Sequence, residues 1–242
     1  YKGIVPAVSG IETIRLNHRW MTVPGAVAGK LAGNPAREDI DEAGAMVGVE
    51  FVLNVIQDES KRIVHAVAGH PLTAHREGCR RLDLLRRVTI EEPVDVVIVS
   101  AGGYPKDINL YQAQKALDNA QHIVRPRGII VLVAECREGL GHPVFEAWMR
   151  EGPNSDAILS RIEHEFVLGG HKAAGVARTM KHAKVFLVSA LPNGLARAIG
   201  FHPYDSPNSA LHSALDQVKV TTLPRLAVMP QGASILATLA QA

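Results

Sequence analysis

The sequence is short of the features that announce a partner or a compartment. Its two cysteines, Cys79 and Cys136, stand in unrelated contexts that match neither a disulfide framework nor a metal-ligand spacing, so a reducing cytoplasm is the expected setting. The longest apolar run, GIIVLVA at 128–134, is far below the roughly 20 residues a membrane helix needs, and no charged-then-apolar leader opens the chain. Basic runs are absent too: 26 Lys and Arg are interspersed with 24 Asp and Glu for a net charge of +2, which argues against nucleic-acid and membrane-surface partners. Neither a G-x-S-x-G elbow nor an H-E-x-x-H helix occurs. Tyr1 is not an initiator methionine and KGIVP reads as the end of a loop, so a fragment or a processed chain is expected.

What is abundant is apolar content, 47% of 242 residues, enough for one large core or two modest ones. The first 88 residues read as mixed α and β. Helices are expected over IETIRLNHRW and from about Asp39 through EAGAMVGV, strands over FVLNVIQ and RIVHAVAG, and a further helix over HREGCRRLDLLRRV. In EEPVD a proline and clustered charge break the pattern, so residues 89–95 are expected to form a hinge. From 96 to 242 short continuous apolar strands (DVVIVS, GIIVLVAEC, AKVFLVSAL) alternate with helices expected at 107–124, 142–151, 155–165 and 171–181. That alternation marks a Rossmann-like parallel sheet covered on both faces. The tail from about Ser209 reads as two helical stretches split by strand-like RLAVMP.

The chemistry concentrates in SAGGYPKDINLYQAQKAL, residues 100–117, where a strand runs into two glycines, a proline and a helix. Ligands of open parallel sheets sit outside the carboxyl ends of the strands, and helix N-terminal amides there can hold an anion. A dinucleotide site is one alternative, with Gly102 and Gly103 at the turn and Glu135 on a ribose, but the third glycine of G-x-G-x-x-G is absent. Gln112 and Lys115 share one helix face. On spacing alone, a solvated stripe of Gln112, Lys115, Asn119 and His122 opposite Leu110, Ala113, Leu117 and Ala120 is the simpler account. GNPARED, residues 33–39, is explained by a turn and a helix cap. His70, His75 and Cys79 match no defensible ligand spacing. His171, Lys172, Arg178 and Lys181 read as a solvated basic face.

Taken together, KGIVPAVSGIETIRLNH, GNPARED and DVVIVSAGGYPKDINLYQAQKAL resemble the nickel-dependent lactate racemase family, whose members carry a nickel-pincer nucleotide. The resemblance covers essentially the whole chain but only the C-terminal portion of the family's length. It implies that Lys2 binds the nucleotide, through a thioamide in some members, and that His18, sixteen residues later, ligates nickel. It also implies that Tyr111 contacts the cofactor and that Gln112 and Lys115 contact a small 2-hydroxy acid. The activity implied is racemisation or epimerisation by hydride transfer, with the cofactor in a cleft between the two domains. Lys115 would pair with the carboxylate or the developing ketone oxygen, and a histidine would take the hydroxyl proton. The family's two catalytic histidines and its arginine would precede Tyr1, so the chain alone is expected to be inactive and to need that N-terminal segment as its partner. Lactate-type members carry a tryptophan near the helix starting at His171. Here HKAAG stands instead, so Ala173 or Ala174 is expected to leave room for a larger substrate. Two rivals remain open: a nucleotide-binding α/β oxidoreductase, and a non-catalytic binding module that kept the fold.

Overall fold

A computed structural model describes residues 1–58, 60–218, 220 and 223–240. Its contacts divide the chain into two compact units, Tyr1–Arg87 and Val88–Ala242. No helix among the described residues is long and apolar enough to cross a membrane.

The first unit carries helix α1 (Ile11–Arg19), α2 (Pro35–Val47), the antiparallel strands β1 (Val52–Gln57) and β2 (Ile63–Gly69), and α3 (Pro71–Arg86). GNPARED does what its composition predicts. Asn34 caps α2 by accepting from the Arg37 amide at 3.3 Å, and Glu38 accepts from the Gly33 amide at 2.7 Å. α2 therefore starts at Pro35, four residues before the expected Asp39. The buried side chain of Asn17 ties α1 to α2 by donating to the Ala36 carbonyl at 3.0 Å and to Asp39 Oδ2 at 2.7 Å. The β1–β2 ribbon buries little. Ile56 and Val67 are covered, whereas Leu53 is 68% exposed and Ile63 63%.

The second unit is the expected Rossmann-like layer. Strands β4 (Val94–Ser100), β5 (Val124–Val133), β6 (Lys184–Val188), β7 (His202–Pro203) and β8 (Leu226–Met229) form one parallel sheet in the order β7-β6-β5-β4-β8. Both faces are covered, so the strands read as continuous apolar runs. Val97, Val99, Ile130, Leu132, Val185 and Leu187 face a large core shared with α4 (Leu110–Ala120), α5 (Pro143–Arg150), α6 (Ser155–His164) and α7 (Gly170–His182). Val96, Ile129, Val131 and Phe186 face Ala210 and Ala214 of α9 (Pro207–Gln217). The short helix α8 (Asn193–Ala198) and β7 lie between β6 and α9. Asp95, 7% exposed, joins three strand starts by accepting from Arg125 Nε at 2.5 Å and from the Arg225 amide at 2.7 Å. Burial alone would raise its carboxyl pKa, but these donors hold it below the ordinary value.

Three expectations are corrected. The helix expected at 107–124 spans only 110–120, because Asn109 serves as its cap and Asp107 is pinned to the next loop. The last helical stretch is instead a 3-10 turn, Gly232–Ser234, followed by β9 (Leu236–Leu239), which pairs with β3 (Arg87–Ile90). The strand begun by DVVIVS already starts at Val94, inside the segment expected as a hinge.

Candidate active site

The sheet order decides where a ligand would sit. From β4 the chain winds through β5, β6 and β7 in one direction, then returns to lay β8 on the other side of β4. Loops leaving β4 and β8 therefore diverge at their carboxyl ends, the topological switch point where open parallel sheets bind ligands. A cavity of about 490 Å³ opens there. It is lined by Pro105, Lys106 and Ile108 after β4, Gln112 and Lys115 from α4, and Ala233 from the turn after β8.

Glycine makes the loop after β4 possible. Gly102 and Gly103 have φ of +97° and +72°, and a Cβ on Gly102 would stand 2.5 Å from Gln231 Oε1. The loop is then zipped to the one after β5. Cys136 N donates to the Asp107 carbonyl at 2.8 Å, and Glu138 N to the Ile108 carbonyl at 2.9 Å. Lys106 Nζ reaches across to Gln231 Oε1 at 3.2 Å and Ser234 Oγ at 2.9 Å. Asn119 Nδ2 donates to the Gly232 carbonyl at 2.6 Å and pins the same turn. Asn119 is thus an anchor of the cavity wall, not part of a solvated stripe.

The amides of the first turn of α4 are already used. Leu110 N donates to Gly139 O at 3.1 Å, Tyr111 N to Leu140 O at 3.1 Å, Gln112 N to Asn109 Oδ1 at 3.0 Å and Ala113 N to Asn109 O at 3.0 Å. A pyrophosphate would find no free donor there, which removes the physical basis of the dinucleotide alternative. The polar side chains lining the cavity, Lys106, Gln112 and Lys115, are the groups that can meet an anion instead. Lys115 Nζ donates to the neutral Gln112 Oε1 at 3.1 Å, so that hydrogen bond orients the ammonium without cancelling its charge.

The structure brings Tyr111, Gln112 and Lys115 onto one turn, but Tyr111 faces away from the cavity, into a cage of its own. Its ring stacks on His142 with centroids 5.2 Å apart and meets Phe145 edge-on at 5.6 Å. Burial raises its phenol pKa. Lys172 of α7 completes the cage. Its Nζ lies 4.0 Å from the ring centroid and donates to the Tyr111 carbonyl at 3.0 Å. The basic face expected on α7 is therefore divided. Lys181 pairs with Asp156 at the surface, while Lys172 turns inward. Ala173 and Ala174, expected to leave room for substrate, are fully buried in the core and do not line this cavity.

Lys2 and His18 belong to the first unit. Lys2 is exposed in the opening turn, and His18 is half-buried on α1 with Nδ1 2.9 Å from the Ile14 carbonyl. A carbonyl only accepts, so Nδ1 is the donor in that contact. Among the described residues no group of three or more His, Cys, Asp or Glu side chains is close enough to hold a metal ion by itself.

Comparison with known proteins identifies the family. Residues 89–237 match the family model of the lactate racemase C-terminal domain. The chain belongs to the lactate racemase family. A lactate racemase from Thermoanaerobacterium thermosaccharolyticum is 31% identical over 242 residues, covering 97% of this chain and 56% of that protein. One from Lactiplantibacillus plantarum is 34% identical over 146 residues, covering 60% of this chain and 34% of its own length. The solved structure of the Thermoanaerobacterium lactate racemase apoprotein superposes with a TM-score of 0.89 at 31% identity, over 98% of this chain and 58% of that one. A Thermotoga maritima protein, at 18% identity and a TM-score of 0.60 over 86% of this chain, shares the fold alone. The chain spans about half the length of the Thermoanaerobacterium lactate racemase.

Several residues of the site escape sequence reasoning. Gln231, Ala233 and Ser234 lie more than a hundred residues from α4 with no local motif. Lys172 had a usable signal in the preceding Gly169-Gly170. A Cβ on Gly169 would lie 2.6 Å from His142 Nδ1 and one on Gly170 2.7 Å from the Trp148 ring, so the glycines let α7 close on this region.

Proposed function

We propose that this chain is the C-terminal portion of a 2-hydroxyacid racemase or epimerase that uses a nickel-pincer nucleotide and works by hydride transfer. The observation that carries the reading is the cavity at the switch point, lined by Lys115, Gln112 and Lys106, in a chain of the lactate racemase family. Lys115 binds the substrate carboxylate and stabilises negative charge on the oxygen of the ketone formed at Cα, and Gln112 fixes the ammonium in place. When bound, the nucleotide supplies a reversible hydride acceptor, so the Cα hydrogen leaves with its electron pair and can return to either face. His18 is the proposed nickel donor, and Lys2 is the proposed anchor of the nucleotide. Tyr111 does not meet substrate in this reading. It supports the turn that carries Gln112 and Lys115.

The hydroxyl proton needs an acceptor. Among the described residues those lining the cavity include no histidine and no carboxylate, and Lys106 Nζ already donates to two oxygen acceptors. We place the base in the portion of the longer enzyme that precedes this chain. Two observations support that partner. The matched family model is that of a C-terminal domain, and this chain covers only 56% of the Thermoanaerobacterium relative. The first unit also leaves Met46, Phe51, Leu53, Ile63 and Leu84 between 63% and 84% exposed, an apolar surface of the kind that another segment covers. Lys115→Ala in the full-length enzyme should lower turnover on the order of a hundredfold, the typical loss for one preorganised charged donor. Unchanged turnover would return the helix face to a solvent-facing role.

A further inference from the structure

We propose that Lys172 is a positioning residue for this site: from α7 it holds the first turn of α4, through both the carbonyl and the ring of Tyr111, in the conformation that presents Gln112 and Lys115 to the cavity. The proposal rests on reading Gln112 and Lys115 as the anion-binding pair.

Two independent contacts carry it. The Lys172 ammonium donates to the Tyr111 carbonyl at 3.0 Å and lies 4.0 Å from the centre of its ring. A lysine that only filled space between helices would need neither. The ring also packs against His142 and Phe145, so the ammonium adds to contacts that already hold this residue. Gln112 follows Tyr111 directly, and Lys115 lies one turn on, so any slack at Tyr111 reaches both.

The electrostatics give the clamp a second consequence. Burial brings Lys172 down to about 8; the nearby positive charge of Lys115 adds to the shift, and Asp118 opposes it. Arg178, on the same helix as Lys172, acts on Asp118, and His142, the N-cap of α5, meets the ring of Tyr111. An anion bound by Lys115 cancels much of the repulsion on Lys172 and strengthens its hold on the proton. Binding near pH 8 is therefore coupled to uptake of a fraction of a proton at Lys172.

The test uses the full 242-residue chain with oxalate as a planar dicarboxylate probe, in wild type, Lys115→Ala, Lys172→Met and Lys172→Arg. Calorimetric titrations in two buffers of different ionisation enthalpy give affinity and proton uptake. Lys172→Met should weaken binding by about tenfold, as the loss of one charge-assisted hydrogen bond would. Lys172→Arg should restore affinity and abolish the uptake at pH 8. Amide exchange should accelerate in residues 111–115 of Lys172→Met and be restored in Lys172→Arg, with the rest of α7 unchanged. Weaker binding in Lys115→Ala with no effect of Lys172→Met would overturn the positioning role and leave the anion site standing. Equal binding in wild type and Lys115→Ala, or none in wild type, would overturn the site reading itself. Exchange accelerated throughout α4 and α7 alike would reduce Lys172 to a packing residue.

Discussion

Asp118 sits on α4 three residues beyond Lys115, and its carboxyl is raised to about 6. Burial is the main cause, opposed by the charges of Lys172 and Arg178 and by a hydrogen bond from Gln114. A carboxyl raised in the folded state from a model value of 3.8 binds its proton more tightly folded than unfolded. Its stability contribution is therefore greatest at low pH and falls as pH rises from about 4 through 6, after which it is constant. At one pKa unit to about 1.4 kcal/mol, ionised Asp118 costs the second unit on the order of 3 kcal/mol above pH 7, of which about 2 kcal/mol accrues between pH 4.5 and 7.5. Asp118→Asn keeps the size and a hydrogen-bonding group but cannot ionise. It should therefore gain stability relative to wild type by about 2 kcal/mol more at pH 7.5 than at pH 4.5. Urea unfolding followed by Trp148 fluorescence, in a Trp20→Phe background so that only the second unit reports, measures the difference. A gain equal at both pH values would refute the reasoning, because it would trace the effect to packing rather than ionisation.

Two further outcomes follow from the same contacts. Asn119→Ala, which a solvated stripe would tolerate, should cost the second unit about 1–2 kcal/mol in the same urea assay, because it leaves the Gly232 carbonyl without its donor and loosens the turn bearing Ala233. Cys136 is 1% exposed and its thiol is pushed up to about 12, mainly by burial, so iodoacetamide at pH 8 should alkylate half-buried Cys79 first and reach Cys136 only after urea unfolding, as read by peptide mass mapping.

The sheet was legible in the sequence because VDVVIVS, GIIVLV and KVFLV are continuous apolar runs that only a strand buried on both faces explains. Spacing put Gln112 and Lys115 on one face of α4, and the cavity lies at that face. What the sequence hid depends on long-range pairing. GASILATLA has a helix-like composition, yet residues 236–239 become strand β9 because an open edge at β3 is available to them. Lys172 reads as one of four basic residues on a helix face, and only the fold shows that a tyrosine ring waits beneath it. Ala173 and Ala174 misled for the opposite reason: small residues on α7 serve close helix packing, not substrate room.

The central claim is that Lys115 serves a racemase whose proton acceptor lies in the portion preceding this chain. The most direct measurement is chiral chromatography of lactate, malate and a bulkier 2-hydroxy acid after incubation of single enantiomers with the nucleotide and either the full-length gene product, its Lys115→Ala variant or this 242-residue chain. Interconversion by the full-length protein, its loss by on the order of a hundredfold in the variant, and none by the chain alone is the predicted result. Racemisation of any substrate by the chain alone, or at an undiminished rate by the variant, would contradict it.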